Sequence, residues 1–167
     1  MLEAIRNRRS IRKYAKQAVP PEKLEILLRA AMQAPTARNL QPWEFVVTQN
    51  RGIMNRIPEV HPYSQMVRTA GAAILVCGNK KLRNDISYLL EDCSAAVQNI
   101  LLEAVNQELG AVWLGIYPKE DRVRGISRLF NLPEHIIPIA LVSIGIPGET
   151  KEFENRYNTG KIHTDCW

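Results

Sequence analysis

The sequence predicts an α/β fold, in the α+β sense of a three-layer sandwich whose central sheet is flanked by helices. Three observations carry that expectation. Four short apolar runs read as strands, and helical segments with apolar stripes are interleaved between them. The third is size: one domain spanning 1–167 can bury roughly 70% of its unfolded surface without disulfide staples. With 46% hydrophobic and 23% charged residues, nothing in the composition competes with a globular reading.

Taken in order, Leu2 to Arg6 predicts a short helix, and Pro20-Pro21-Glu22 opens a second, with proline where a missing N–H is harmless. Leu24, Leu27, Leu28 and Ala31 give that helix its stripe, and it should stop before Pro35. Ala34 to Pro42 is a proline-bounded polar loop, followed by the strand Trp43 to Thr48. A polar region from Gln49 to Gln65 holds a short helix. Ala72 to Cys77 is apolar throughout, the pattern of a strand buried on both faces. Asp85 to Leu109 predicts the longest helix, about 37 Å at 1.5 Å per residue, with Gly110 as its C-cap. Both sides of Ala95, Val97, Ile100 and Leu101 call for burial, more than one small domain supplies. Ala111 to Tyr117 is another buried strand, Lys119 to Phe130 an amphipathic helix, and Ile136 to Ile146 a strand with Pro138 near its start. The last residues, Pro147 to Trp167, form an irregular polar tail.

Charge is unevenly spread. The first sixteen residues carry six Lys/Arg against Glu3 alone, an excess equal to the net charge of +5 for the whole chain. In extended backbone, residues two apart face the same way, so Arg8, Ser10 and Arg12 would present two guanidiniums and a hydroxyl to one object. Guanidinium forks match a phosphate ester. A solvated or nucleic-acid-binding arm and an Arg-rich transit peptide are the competing readings. The helix start that follows, and the lack of a cleavage-like segment, weigh against both. Cys77, Cys93 and Cys166 form no CxxC pair and point to reduced thiols in a cytoplasmic setting, without a metal site. His61, His135 and His163 are isolated and read as surface or loop residues. No apolar run reaches membrane-spanning length. GxGxxG, P-loop, HExxH and GxSxG motifs are all missing.

Two further segments could bind. The loop Pro35-Thr36-Ala37-Arg38-Asn39-Leu40-Gln41-Pro42-Trp43 offers a hydroxyl and amides with no partner in its own local sequence, suited to a planar hydrogen-bonding ligand. Trp113-Leu114-Gly115-Ile116-Tyr117-Pro118 has a glycine where a ligand could approach the backbone. Alone, the first also reads as an ordinary helix-to-strand connection and the second as a core strand with a packing glycine.

Together, RRSIRKY, PTARNLQPW, EDCSAAVQNILLEA, WLGIYP and RYNTGKIHTDCW, in that order, resemble the FMN-dependent nitroreductase family. The resemblance spans residues 3 to 167. It implies a nitroreductase-like fold, an intertwined homodimer, FMN as cofactor and NADH or NADPH as donor. A small-molecule acceptor, nitroaromatic or quinone, would be reduced by a ping-pong hydride transfer on the flavin, with no catalytic side chain required. It implies that Arg8 and Ser10 contact the phosphate or ribityl chain, Arg9 contributes backbone, and Arg12 lies near the pyrimidine end of the ring. Pro35, Thr36, Ala37, Asn39 and Gln41 would cross to the partner's flavin, with Ala37 lacking the hydroxyl often found there. Leu114, Gly115 and Ile116 would lie near the reactive nitrogen, and Lys161 and His163 would close on the phosphate. The short Tyr117 to Lys119 connection leaves no covering excursion, so an open pocket is expected. A basic nucleic-acid-binding module, and a flavin-binding or flavin-modifying protein without reductase turnover, remain alternatives.

Overall fold

A computed structural model describes residues 1–167. Four antiparallel strands, β1 (Trp43–Thr48), β2 (Ala72–Asn79), β3 (Gly110–Gly115) and β4 (Ile136–Gly145), pair in the order β1-β2-β4-β3. Around them lie α1 (Glu3–Asn7), α2 (Pro21–Ala31), α3 (Arg51–Val60), α4 (Ile86–Asn106) and α5 (Glu120–Leu129). The two-residue period of the strands divides the interior in two. Ala72, Ile74 and Val76 of β2 pack with Leu27 of α2 and with Val97 and Ile100 of α4. Ala73, Leu75 and Cys77 pack on the other face with Met54 and Ile57 of α3 and Ile126 of α5. Because both faces are covered, β2 reads as unbroken apolar sequence, and the three-layer expectation holds.

Three local expectations need correction. Gly110 does not cap α4; Gln107 is the C-cap, Glu108 takes the left-handed conformation at φ 58°, and Gly110 opens β3. Its missing side chain serves packing instead, since a Cβ there would stand 2.6 Å from Ile11 Cγ2. Val97, Ile100 and Leu101 are already buried within their own chain, leaving only Ala95 half-buried, so this quartet does not itself demand a partner. Finally, β3 is an edge strand, so although Ala111, Val112 and Leu114 are buried as expected, Trp113 is 36% exposed and Gly115 is open to solvent.

The edge position of β3 places the N-terminal basic segment. Ser10 forms a parallel bridge with Ala111, and the Ile11 N–H donates to the Ala111 carbonyl at 3.0 Å. At the far end of β3, proline shapes the backbone. Pro138 lies in β4, a central strand where proline cannot complete the ladder, and the β2–β4 register shifts beside it. The Ile139 carbonyl accepts from both Ile116 and Tyr117 at 3.1 Å, turning the chain away just after Gly115.

Candidate functional site

Arg12, Leu114 and Gly115 line one cavity of about 490 Å³, together with His61, Tyr63 and Arg122. Ile11 is buried between strand edge and core, so backbone alternation turns Ser10 and Arg12 the opposite way. Arg9 shares the wall of a separate 280 Å³ cavity with Ile11. Its Nε donates to the Glu152 carbonyl at 2.7 Å, and its guanidinium lies 5.6 Å from the Phe153 ring centre. The tail therefore engages the Arg9 side chain.

The same tail fixes the ladder. Glu149 Oε1 accepts from the backbone N–H of Arg12 at 2.6 Å and of Lys13 at 3.2 Å, and these bonds hold its carboxyl pKa below the ordinary value. Lys151 Nζ donates to the Ser10 carbonyl at 2.7 Å. Arg8 is half-buried, and burial first, then repulsion from Arg156 and Arg9, pulls its pKa below the ordinary arginine value. None of the four ion pairs in the chain includes Arg8, Arg9 or Arg12. Arg8 and Arg9 repel one another and neither has an ion-pair partner, so a phosphate dianion there would relieve the repulsion, and the residues fit a phosphorylated ligand.

Gly115 stands in open space, where an added Cβ would meet nothing within 4 Å. Its carbonyl accepts from His61 Nε2 and from Arg122 Nη1, both at 2.9 Å. His61 is not a surface residue. It is 2% exposed, its Nδ1 is buried without a partner, and burial pulls its pKa below the ordinary histidine value. Ile116 is fully buried and contributes to the core, while Leu114 is nearly so. Sequence reasoning missed His61 and Arg122, which come from segments remote from the motif. The one available signal was the HPY tripeptide before a 3-10 turn.

The Pro35 to Gln41 loop lies elsewhere. It enters β1, whereas Gly115 ends β3 and Arg12 lies in the segment bridged to β3 at Ala111, and these strands are the two edges of the sheet. Three strand spacings of about 4.8 Å separate them. The expectation that the loop's polar groups lack local partners is also wrong. Thr36 Oγ1 accepts from the Gln41 N–H at 3.1 Å, and Asn39 Oδ1 accepts from Gln41 Nε2 at 3.0 Å. Arg38, Asn39 and Gln41 all adopt positive φ, and these internal bonds help to hold that conformation. Pro35 is exposed, with Ala37 half-buried. Lys161 and His163 lie in the exposed tail, Lys161 at the end of a 3-10 turn and His163 stacked on Trp167 at 4.1 Å. Within one chain, then, the structure gathers Arg8, Ser10, Arg12, Leu114 and Gly115 along β3, and leaves the loop and the last tail residues apart.

Comparison with known proteins identifies the fold and the family. The Nitroreductase family model matches residues 5–62 and 55–146. A protein of Methanothermobacter thermautotrophicus, provisionally named NADH dehydrogenase/NAD(P)H nitroreductase, is 47% identical over 167 residues, covering 100% of this chain and 87% of its own. Among solved structures, one provisionally described as an NADH oxidase from Clostridium acetobutylicum superposes with a TM-score of 0.95 at 40% identity, covering 99% of this chain and 100% of the other. An FMN-dependent nitroreductase from Clostridium difficile superposes with a TM-score of 0.92 at 27% identity, covering 100% of each chain. With a family model that covers most of the chain and relatives that match it along its length, this protein belongs to the nitroreductase family.

Proposed function

We propose that the protein is an FMN-dependent NAD(P)H oxidoreductase working as an intertwined homodimer. The observation that carries this reading is the joining of Arg12 to the Leu114–Gly115 strand end, open at Gly115, in one cavity, with Arg8 lacking an ion-pair partner alongside. FMN, when bound, would supply hydride chemistry between NADH or NADPH and a nitroaromatic, quinone or related acceptor in a ping-pong cycle. The chain's residues bind and orient. Arg8 and Ser10 hold the phosphate and ribityl groups, with Lys161 and His163 closing over them. Arg12 places a cation at the pyrimidine end, where negative charge gathers on reduction. His61 and Arg122 fix the Gly115 carbonyl, and thereby the orientation of the strand end that borders the cavity. Only residues 116–119 separate β3 from α5, so no inserted segment covers the cavity from this side.

Dimerisation follows from the split site. The Pro35 to Gln41 loop cannot reach its own β3 edge, so Pro35, Thr36, Ala37, Asn39 and Gln41 act on the partner's flavin. The tail supports this: Phe153, Tyr157, Ile162 and Trp167 are 50–98% exposed, apolar surface that a second copy would cover. No helix is long and apolar enough to cross a membrane. We place the protein in the cytoplasm as a single functional unit without nucleic-acid partners; the free Cys77 and Cys93 thiols suit a reducing compartment. An anaerobic absorbance spectrum tests the assignment. The purified protein should show a flavin band that bleaches on adding NADH or NADPH. A colourless preparation that takes up no added FMN would overturn it, while a flavin that does not turn over with quinone would favour a non-reductase flavoprotein.

A further inference from the structure

The loop assigned to the partner's flavin is gripped at one residue by a buried ion pair. Arg83 lies in the turn before α4 and Asp92 within that helix, and their side chains are 9% and 6% exposed. Asp92 Oδ1 accepts from the Ala37 N–H at 3.3 Å, and Arg83 Nη2 donates to the Ala37 carbonyl at 2.6 Å. Between the two side chains, Arg83 Nε stands 3.2 Å from Asp92 Oδ2, yet neither atom has an aligned hydrogen bond. The guanidinium also rests 5.0 Å from the centre of the Tyr88 ring. Both polar groups of a single loop residue are thus held by two charges that are poorly matched to each other.

Burying such a pair is costly, and apolar residues of similar size commonly give equal or greater stability. A pair kept only for stability would direct its best hydrogen bonds at itself. Here the short, well-directed bond of the guanidinium goes to the loop. The loop benefits from it: Arg38, immediately after Ala37, has φ of 60°, a conformation costly for a side chain of that kind, and Asn39 follows at 53°. We propose that Arg83 and Asp92 are positioning residues. They clamp Ala37 so that the loop is already shaped for the flavin of the other protomer before that flavin binds. This inference rests on the proposed function, because it takes FMN to be the ligand the loop serves. Pre-shaping matters because ordering a loop at the moment of binding subtracts from affinity.

The test is a series of variants graded by the bonds left to Ala37. Arg83→Met with Asp92→Leu removes both bonds and leaves no unpaired buried charge. Arg83→Met with Asp92→Asn keeps only the acceptor for the Ala37 N–H. Arg83→Lys keeps the charge beside Asp92 but not the fork that spans to the Ala37 carbonyl. For each, FMN affinity is measured by flavin fluorescence, alongside thermal unfolding and sedimentation of the FMN-free protein. The expected result is FMN dissociation constants raised about tenfold or more for Met/Leu, with Met/Asn and Lys intermediate. The FMN-free dimer and its melting temperature should stay close to wild type in at least the Lys and Met/Asn forms. Wild-type FMN affinity across the series would overturn the inference while leaving the proposed function standing. So would affinity that falls only in step with melting temperature. A wild-type protein that does not bind FMN would instead overturn the proposed function itself.

Discussion

Replacing Gly110 with alanine tests the link between strand packing and the binding ladder. The new Cβ would stand 2.6 Å from Ile11 Cγ2 and 2.9 Å from Ile11 Cβ, closer than side chains tolerate. Ile11 cannot yield by swinging a flexible tip, because both atoms lie at its branched base. The backbone of the segment must shift, which strains the 3.0 Å bond from the Ile11 N–H to the Ala111 carbonyl. Overpacking of this kind costs about 1–3 kcal/mol. For a chain of this size that lowers the melting temperature by roughly 2–4 °C per kcal/mol. Since Arg8, Ser10 and Arg12 ride on the displaced segment, FMN should be held more weakly as well. Gly115→Ala is the control, because its Cβ meets nothing within 4 Å and stability should change by less than about 0.5 kcal/mol. Thermal melts of the three FMN-free proteins, with FMN titrations alongside, give the readout. A Gly110→Ala protein that melts with wild type and binds FMN equally would refute the reasoning.

Other substitutions separate the remaining roles. Arg12→Ala should slow reduction of bound flavin by NAD(P)H more than it weakens FMN retention, and Arg8→Ala the reverse. Each loses a charged hydrogen bond of about 1.5–3 kcal/mol, and stopped-flow reduction with FMN titration distinguishes them. Equal effects of both on affinity, with no effect on reduction, would contradict the assignment. Mixed dimers pairing an Arg8→Ala protomer with an Arg83→Met/Asp92→Leu protomer should regain one tight FMN per dimer, since one site keeps both its ladder and its loop; recovery of none would count against a site shared across the interface. Folding stability should also depend on pH through His61, whose folded pKa lies below 6.5 because of burial. As pH falls from about 6.5, the unfolded chain takes up a proton that the folded ring refuses, so stability present above that pH is lost. Urea denaturation between pH 8 and 5 should show the decline and its reduction in His61→Gln; stability that rises on acidification would exclude it.

Much of this architecture was legible because burial writes a period into sequence. β1 was readable to the residue from WEFVVT, and β2 from a run whose alternate members fill two different cores. Gly110 misled because its role is set by Ile11, about a hundred positions away, rather than by the helix it follows. The basic ladder and the strand end at Gly115 were visible as local patterns, whereas their shared cavity depends on a bridge at Ala111 that no local pattern encodes. His61 looked like an isolated loop histidine, because the carbonyl it holds lies on another edge of the chain's path. Glu149 and the Arg83–Asp92 pair were hidden for the same reason. Single charged residues acquire meaning only through the backbone atoms that the fold brings to them.

Sedimentation velocity at micromolar protein, monitored at a flavin wavelength, tests the claim that the site is built from two chains. The account predicts that flavin absorbance travels with a species of twice the 19.0 kDa chain mass, carrying two FMN, and that conditions which split the dimer release the flavin at the same point. A species of 19.0 kDa that retains stoichiometric FMN would contradict it.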